Sequence, residues 1–162
     1  MAAVLPSAKA YAKLVALPQG YIFGFSASFN DSIVYFTDIQ TLDSVWIDSK
    51  SRFLQRRESY SYQLREHLSK QMNQPHRTCI VVFNQNRKKL EKQYLKMKRL
   101  YTNPKPGRQL FDVRMLNASD FRFEVIDMSE EIAMEEEFEA EQKAAREALK
   151  AQKSKKRGKE KE

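Results

Sequence analysis

The most distinct hydrophobic pattern lies between residues 79 and 101, where a short apolar run is followed by a basic amphipathic segment. The run Cys79–Phe83 is rich in β-branched residues and too short for a buried helix, so it predicts a strand buried on both faces. Asn84 or Asn86 then caps a helix over residues 87–101. Its large apolar residues recur at helical spacing and predict one stripe packed on the sheet: Leu90, Tyr94, Met97 and Tyr101.

Residues 20–40 alternate as a half-buried strand does, with an apolar set that includes Phe23 and Phe25. Asn30 and Asp31 both tolerate positive φ and suit a hairpin turn, so this segment predicts an antiparallel hairpin. Small residues around Gly24 leave two alternatives open: a place where a ligand or backbone comes close, or a β-bulge.

The rest of the predicted domain is built from shorter patterns. Residues 41–48 are interpreted as a connector anchored by Trp46. Residues 50–71 are interpreted as a helix whose apolar face consists of Phe53, Tyr60, Leu64 and either His67 or Leu68. Residues 109–116 predict an edge strand, and the alternation in 120–128 predicts a closing strand. We therefore expect an α+β domain in the order ββαβαββ, whose mixed sheet of four to five strands carries two helices on one face.

The ends of the chain differ from its middle, which predicts four regions. Residues 1–19 are either the remnant of a signal peptide, with an A-x-A-like site at Ala10–Ala12, or a leader without a targeting role. Residues 20–128 form the α+β domain, 129–152 a charged helix rich in Ala, Glu and Lys, and 153–162 a disordered basic tail. No apolar run approaches the roughly 20 residues of a membrane-spanning helix.

The positive charge is concentrated in the predicted domain. The chain has 29 Lys and Arg against 21 Asp and Glu, a net charge of +8, and the segment 87–101 alone holds seven basic residues and one acid. On a helix, the basic residues of this segment form a second stripe: Lys88, Lys92, Lys96 and Arg99. These residues, together with Arg56 and Arg57, are the candidate binding site for an anionic partner; the alternative is a solvated helix face.

Candidate catalytic chemistry is sparse. One cysteine, Cys79, and two histidines, His67 and His76, are too few for a convincing zinc site, and we interpret Cys79 as a buried structural residue. The signatures of phosphate-binding loops, dinucleotide-binding glycines, zinc proteases and EF-hands do not occur in the sequence. We therefore assign no catalytic residue, metal ligand or cofactor, and an enzyme is the least favoured class.

The segments FGFSASFNDSIVYF (23–36), YSYQLREHL (60–68) and PHRTCIVVF (75–83) resemble a group of small uncharacterised proteins of Bacteroidota over about residues 21–101. The resemblance implies no activity, but a leader peptide would be ordinary in that group. Two hypotheses follow. The first is a non-enzymatic interaction module for a protein partner, exported or envelope-associated. The alternative is a nucleic-acid or ribosome-associated protein that binds through the basic helix 87–101.

Overall fold

The computed structural model describes residues 13–159, and the chain divides into two compact units, Met1–Ile126 and Asp127–Glu162. In its described part, the first unit contains five strands and two helices, and the second contains one long helix. In chain order the elements are β1 (Leu14–Ala27), β2 (Ile33–Thr37), β3 (Gln40–Asp48), α1 (Arg57–Gln71), β4 (Thr78–Asn84), α2 (Arg87–Thr102), β5 (Asp112–Leu116) and α3 (Ser129–Lys159).

Strand β1 is the centre of a mixed, open, five-stranded sheet. It pairs antiparallel with β2, β3 and β4, and β5 pairs parallel with β2. Tyr21 and Ile22 of β1 each pair with both β3 and β4, so these two strands lie on opposite edges of β1. This arrangement confirms the α+β class, the mixed sheet and the antiparallel hairpin over residues 20–40.

The two helices of this unit lie on opposite faces of the sheet, so the prediction of two helices on one face is wrong. Ile22 and Tyr35 pack in a cluster with α1, whereas their neighbours Phe23 and Phe36 pack in a second cluster with α2. Pairing makes β3, β4 and β5 parallel to one another, so both helices are crossover connections. The crossover through α1 leads from one side of β1 to the other, and that through α2 returns. Connections of the same hand that run in opposite directions place their helices on opposite faces.

Helix α1 packs closely on the part of β1 that has small side chains. A Cβ atom added at Gly24 would lie 2.7 Å from Leu64 Cδ2 and 3.1 Å from Phe123 Cζ. Gly24 also donates its N–H to Thr37 Oγ1 at 2.8 Å. The small residues around Gly24 therefore accommodate a packed helix.

Two boundaries near the N-terminus differ from the predictions. Strand β1 begins at Leu14 and pairs with β3 from that residue onward, so assigning residues 14–19 to a leader is wrong. The leader and its A-x-A site at residues 10–12 lie outside the described residues. The connector predicted over 41–48 is instead β3. Its apolar alternation is interrupted at Asp43 and Ser44, both exposed, and Ser44 has a φ of 57°, which hides the strand pattern.

The closing strand predicted over 120–128 is not formed, although Phe121 and Phe123 are buried as the alternation indicated. Two glutamine side chains make the hydrogen bonds to the backbone of this extended segment that a neighbouring strand would otherwise make. The amide of Gln40 donates to Phe121 O and accepts from Phe123 N, both at 2.8 Å. The amide of Gln63 bonds both backbone groups of Glu124 at 2.8 and 2.9 Å.

Helix α1 starts at Arg57, seven residues later than predicted, because residues 53–55 turn back along β3. Asp48 N donates to Phe53 O, and Gln55 N donates to Trp46 O. Phe53 is consequently exposed, whereas the other predicted core residues of this helix are buried: Tyr60, Leu64 and Leu68.

The second unit is the 31-residue helix α3, in which no residue is buried. The predicted charged helix over 129–152 is formed, but it continues through Lys159. Disorder is therefore not confirmed for residues 153–159, which are mostly good helix formers with positive charges that suit a helix C-terminus. Residues 160–162 lie outside the described part of the chain.

Candidate anion-binding surface

Helix α2 is fixed to the sheet by its cap and by an apolar stripe. Asn86 Oδ1 accepts a hydrogen bond from Lys89 N at 3.1 Å, which caps the helix as predicted. Leu90 is fully buried. The predicted partners of Leu90 on this face pack in the same cluster: Tyr94, Met97 and Tyr101.

The tyrosines of α2 are engaged with phenylalanines of the sheet. The rings of Phe23 and Tyr94 lie 5.0 Å apart, and those of Phe25 and Tyr101 lie 4.9 Å apart. Burial also raises the pKa of the Tyr94 hydroxyl. These aromatic contacts hold α2 in place, and the rings are not presented as stacking platforms.

The predicted basic stripe lies on the exposed side of α2. All four of its residues are exposed, and they are three or four positions apart: Lys88, Lys92, Lys96 and Arg99. The row extends along about 16 Å of helix. Among residues 13–159, no carboxylate lies within 4.0 Å of these four cations. Arg87 differs, because its Nε lies 3.0 Å from Glu91 Oε1.

The structure does not bring the remaining two candidate residues onto this stripe. Arg57 begins α1, on the other side of the sheet, and its Nη2 donates to Val81 O at 2.9 Å. Its guanidinium also lies 5.9 Å from the centre of the Phe53 ring. Arg56 precedes α1 with a left-handed φ of 59°. Both are exposed, but they belong to a different surface from the α2 stripe.

An open cleft lies between α1 and β4 on that other surface. It has a volume of about 700 Å³, and its lining includes Tyr62, Arg65, Arg77 and Cys79. Each of the three guanidinium nitrogens of Arg77 already donates to a group of the protein. Its guanidinium donates to Ser26 Oγ at 3.2 Å, to both carboxylate oxygens of Asp31 at 3.0 and 3.2 Å, and to Ile33 O.

The cleft does not have the chemistry of a thiol enzyme. Cys79 is half-buried, somewhat more accessible than predicted, and burial raises the pKa of its thiol. A nucleophilic cysteine needs the opposite shift, towards thiolate at neutral pH. Within residues 13–159, no group of three His, Cys, Asp or Glu side chains is arranged to hold a metal ion.

Local sequence patterns do not indicate the residues that organise this side of the molecule. Arg77 was not expected in the core, because a charged side chain is seldom fully buried. Gln40 and Gln63 form their bonds with residues more than 60 positions away, so no local pattern indicates them. The one available signal was the position of Arg77 directly before the strand β4.

No helix among residues 13–159 is long and apolar enough to cross a membrane. Comparisons of this chain with protein-family models, with curated proteins and with solved structures found no match. The resemblance to proteins of Bacteroidota stays a prediction.

Proposed function

We propose that this protein is a non-catalytic binding module that uses the exposed basic face of α2 to bind the phosphate backbone of nucleic acid. One observation carries the proposal. Lys88, Lys92, Lys96 and Arg99 form one row, and no carboxylate of residues 13–159 lies within 4.0 Å of them, while the opposite face of the same helix is fixed in the core. Closely spaced cations on a rigid element attract the phosphates of a nucleic acid, and binding releases the counterions of those phosphates.

The arrangement of the row favours a ligand over simple solvation. Like charges four positions apart destabilise a helix, and Lys88, Lys92 and Lys96 form two such pairs in succession. The helix dipole accounts for a cation in the last turn, such as Arg99. It is unfavourable for a cation at the start of the helix, so it does not account for the lysines of the first turns. An anionic polymer along the row would relieve this repulsion.

Binding should depend strongly on salt and only weakly on base sequence. The test is fluorescence anisotropy with a labelled 20-base-pair DNA duplex and a 20-nucleotide single-stranded RNA, between 50 and 300 mM salt. Replacing Lys88, Lys92, Lys96 and Arg99 by Gln should reduce the slope of log K against log salt for the duplex by about 3 to 4, because each lost phosphate contact removes about 0.9. Gln has a similar helix propensity, so circular dichroism should be unchanged.

The matched control removes the same charge from other exposed positions of the first unit. Its residues are Lys13, Lys50, Lys70 and Arg122, each replaced by Gln. This variant should retain most of the affinity. Equal losses in the two variants would indicate only a net-charge effect, and absence of binding by the wild-type chain at 50 mM salt would refute the proposal.

A second candidate function is supported by the outer edge of β4. Gly24 of β1 is paired with Val81 of β4, but the Gly24 N–H points towards β2. The two residues therefore form a pair without mutual hydrogen bonds, and the backbone N–H and C=O of Val81 point away from β1, towards the open edge of β4. Arg57 donates to Val81 O there, and Arg65 lines the adjacent cleft. We propose that an extended segment with acidic side chains, from a protein partner, adds to this edge as a strand.

The two candidate functions respond differently to the same changes. Replacing Arg57 and Arg65 by Glu should abolish binding of an acidic peptide library and leave nucleic-acid binding much less affected than the α2 substitutions do. Retention of peptide binding by that variant would exclude the β4 edge.

Export of the protein, the remaining hypothesis from the sequence, is tested by mass spectrometry of the N-terminus in each cell fraction. Cleavage after Ala12 would leave β1 complete, since β1 begins at Leu14. A chain that starts at Lys13 in the envelope or secreted fraction would support an extracytoplasmic protein partner. Such a start would argue against intracellular nucleic acid.

A further inference from the structure

Helix α3 separates its charges from end to end. Residues 130–142 contain seven glutamates and no Lys or Arg, whereas residues 143–159 contain eight Lys or Arg and one glutamate. The acidic part of the helix ends at Gln142 and the basic part, which contains Glu147 as its one acid, begins at Lys143. A helix dipole favours acids in the first turn and bases in the last turn only, so it does not explain a separation that extends over the whole helix.

This separation opposes the stability of an isolated helix. Six pairs of like charge are spaced four residues apart, three acidic and three basic: 131/135, 135/139, 137/141, 146/150, 153/157 and 155/159. Only two pairs at this spacing have opposite charge, 139/143 and 143/147. Each like pair is unfavourable, so the charges of α3 are not arranged to support the helix alone.

An apolar stripe follows the same helix. Met134 is 69% exposed, Phe138 46% and Leu149 57%, and Ala145 lies on the same side between them. Their spacings of four, seven and four residues place them within one narrow sector of the helix. The stripe crosses the point where the charge changes sign.

We propose that α3 pairs antiparallel with α3 of a second copy of this chain. With the two-fold axis near residues 143 and 144, Phe138 of one copy lies against Leu149 of the other. The acidic half of each helix then faces the basic half of its partner along both sides of the apolar stripe. A second copy fits because it supplies both charges, and the antiparallel direction puts them in the matching order.

The test uses the full-length chain with Cys79 replaced by Ser and one new cysteine on the stripe, oxidised under dilute conditions. Antiparallel pairing brings Ala145 of the two copies within a few residues of each other, so A145C should form a disulfide-linked dimer. It separates Gln152 from its copy by about 25 Å along the helix, so Q152C alone should not cross-link. Mixing M134C with Q152C should give the heterodimer.

The outcomes are distinct. Cross-linking of both A145C and Q152C homodimers would indicate parallel pairing, and cross-linking of neither would indicate that α3 does not self-associate; either result overturns the proposal. Sedimentation equilibrium of the chain without the new cysteines provides an independent measurement. The dimer dissociation constant should rise by at least about tenfold between 0.1 and 1 M salt, because the opposed charges become screened.

Discussion

The two charged helices α2 and α3 differ in what holds them. Helix α2 has a fully buried Leu90 and aromatic contacts to three phenylalanines of the sheet, and its cations occupy the face that the core leaves exposed. Helix α3 is nearly twice as long, has no buried residue, and separates its charges along its length. In α2, charged and apolar residues lie on different faces of the helix. In α3, acidic and basic residues lie at opposite ends of the helix.

What a basic segment can bind depends on how its helix is packed. On α2 the packing fixes which cations are presented and in which direction, so the stripe is a preformed surface. On α3 no packing within its unit selects a face, so the pattern along the axis is the feature that a partner can recognise. Composition alone would rank both helices together as charged segments.

The largest expected effect comes from the core side of α2. Leu90→Ala should lower the free energy of unfolding by about 2 to 5 kcal/mol, because it removes a fully buried side chain and leaves a cavity. The control in the same helix is Leu100→Ala, at a residue that is 65% exposed, and it should change stability by about 0.5 kcal/mol or less. Urea unfolding followed by circular dichroism measures both, and equal losses would contradict the packing described for α2.

A smaller effect is expected at the start of α2. Asn86→Ala removes the side chain that accepts the Lys89 N–H, and should cost about 1 kcal/mol of stability for the whole first unit. Asn86→Asp should retain the cap, which makes it the matched control. If Asn86→Ala reduced helicity without shifting the urea midpoint, α2 would unfold separately, as we expect for α3.

Hydrogen exchange measures the difference between α2 and α3 without mutation. Backbone amides in the middle of α2 should exchange only through unfolding of the first unit, because that helix is fixed in the core. Amides of α3 should exchange faster in dilute solution and slow down as the protein concentration rises. Equal protection of the two helices at low protein concentration would contradict the difference in packing between α2 and α3.

The smallest effect is expected at Asp31, which lies outside both helices. The Ile33 N–H, and then Arg77, hold the pKa of Asp31 below its ordinary value of 3.8. A lowered folded-state pKa contributes stability above the unfolded-state pKa, and this contribution is lost as the pH falls through the folded-state value. The stability difference between wild type and Asp31→Asn should therefore narrow below about pH 4. A difference that stays constant between pH 3 and 7 would exclude this linkage.

Local patterns predicted β4, α2, the hairpin and the exposed basic stripe, because each depends on residues close together in the sequence. They failed where distant residues decide the structure. The extended segment 120–126 has the alternation of a strand. Its backbone hydrogen bonds, however, are made by the side chains of Gln40 and Gln63 and not by a neighbouring strand. The opposite faces of α1 and α2 follow from the directions of two crossovers, which hydrophobic periodicity does not encode.

The candidate site was predictable only in part for the same reason. Helical spacing identified Lys88, Lys92, Lys96 and Arg99 as one row. The inclusion of Arg56 and Arg57 required knowing on which side of the sheet α1 lies, and the structure places them on another surface.

The most direct test of the account is to map where nucleic acid touches the chain. Two-dimensional NMR of the ¹⁵N-labelled full-length protein, titrated with the 20-base-pair duplex at 100 mM salt, reports each helix separately. We predict that the largest shift changes fall on α2, on the exposed residues between Lys88 and Arg99, and that they shrink with added salt. Changes confined to the basic half of α3, or spread evenly over all exposed lysines, would contradict the central claim that packing makes α2 the binding surface.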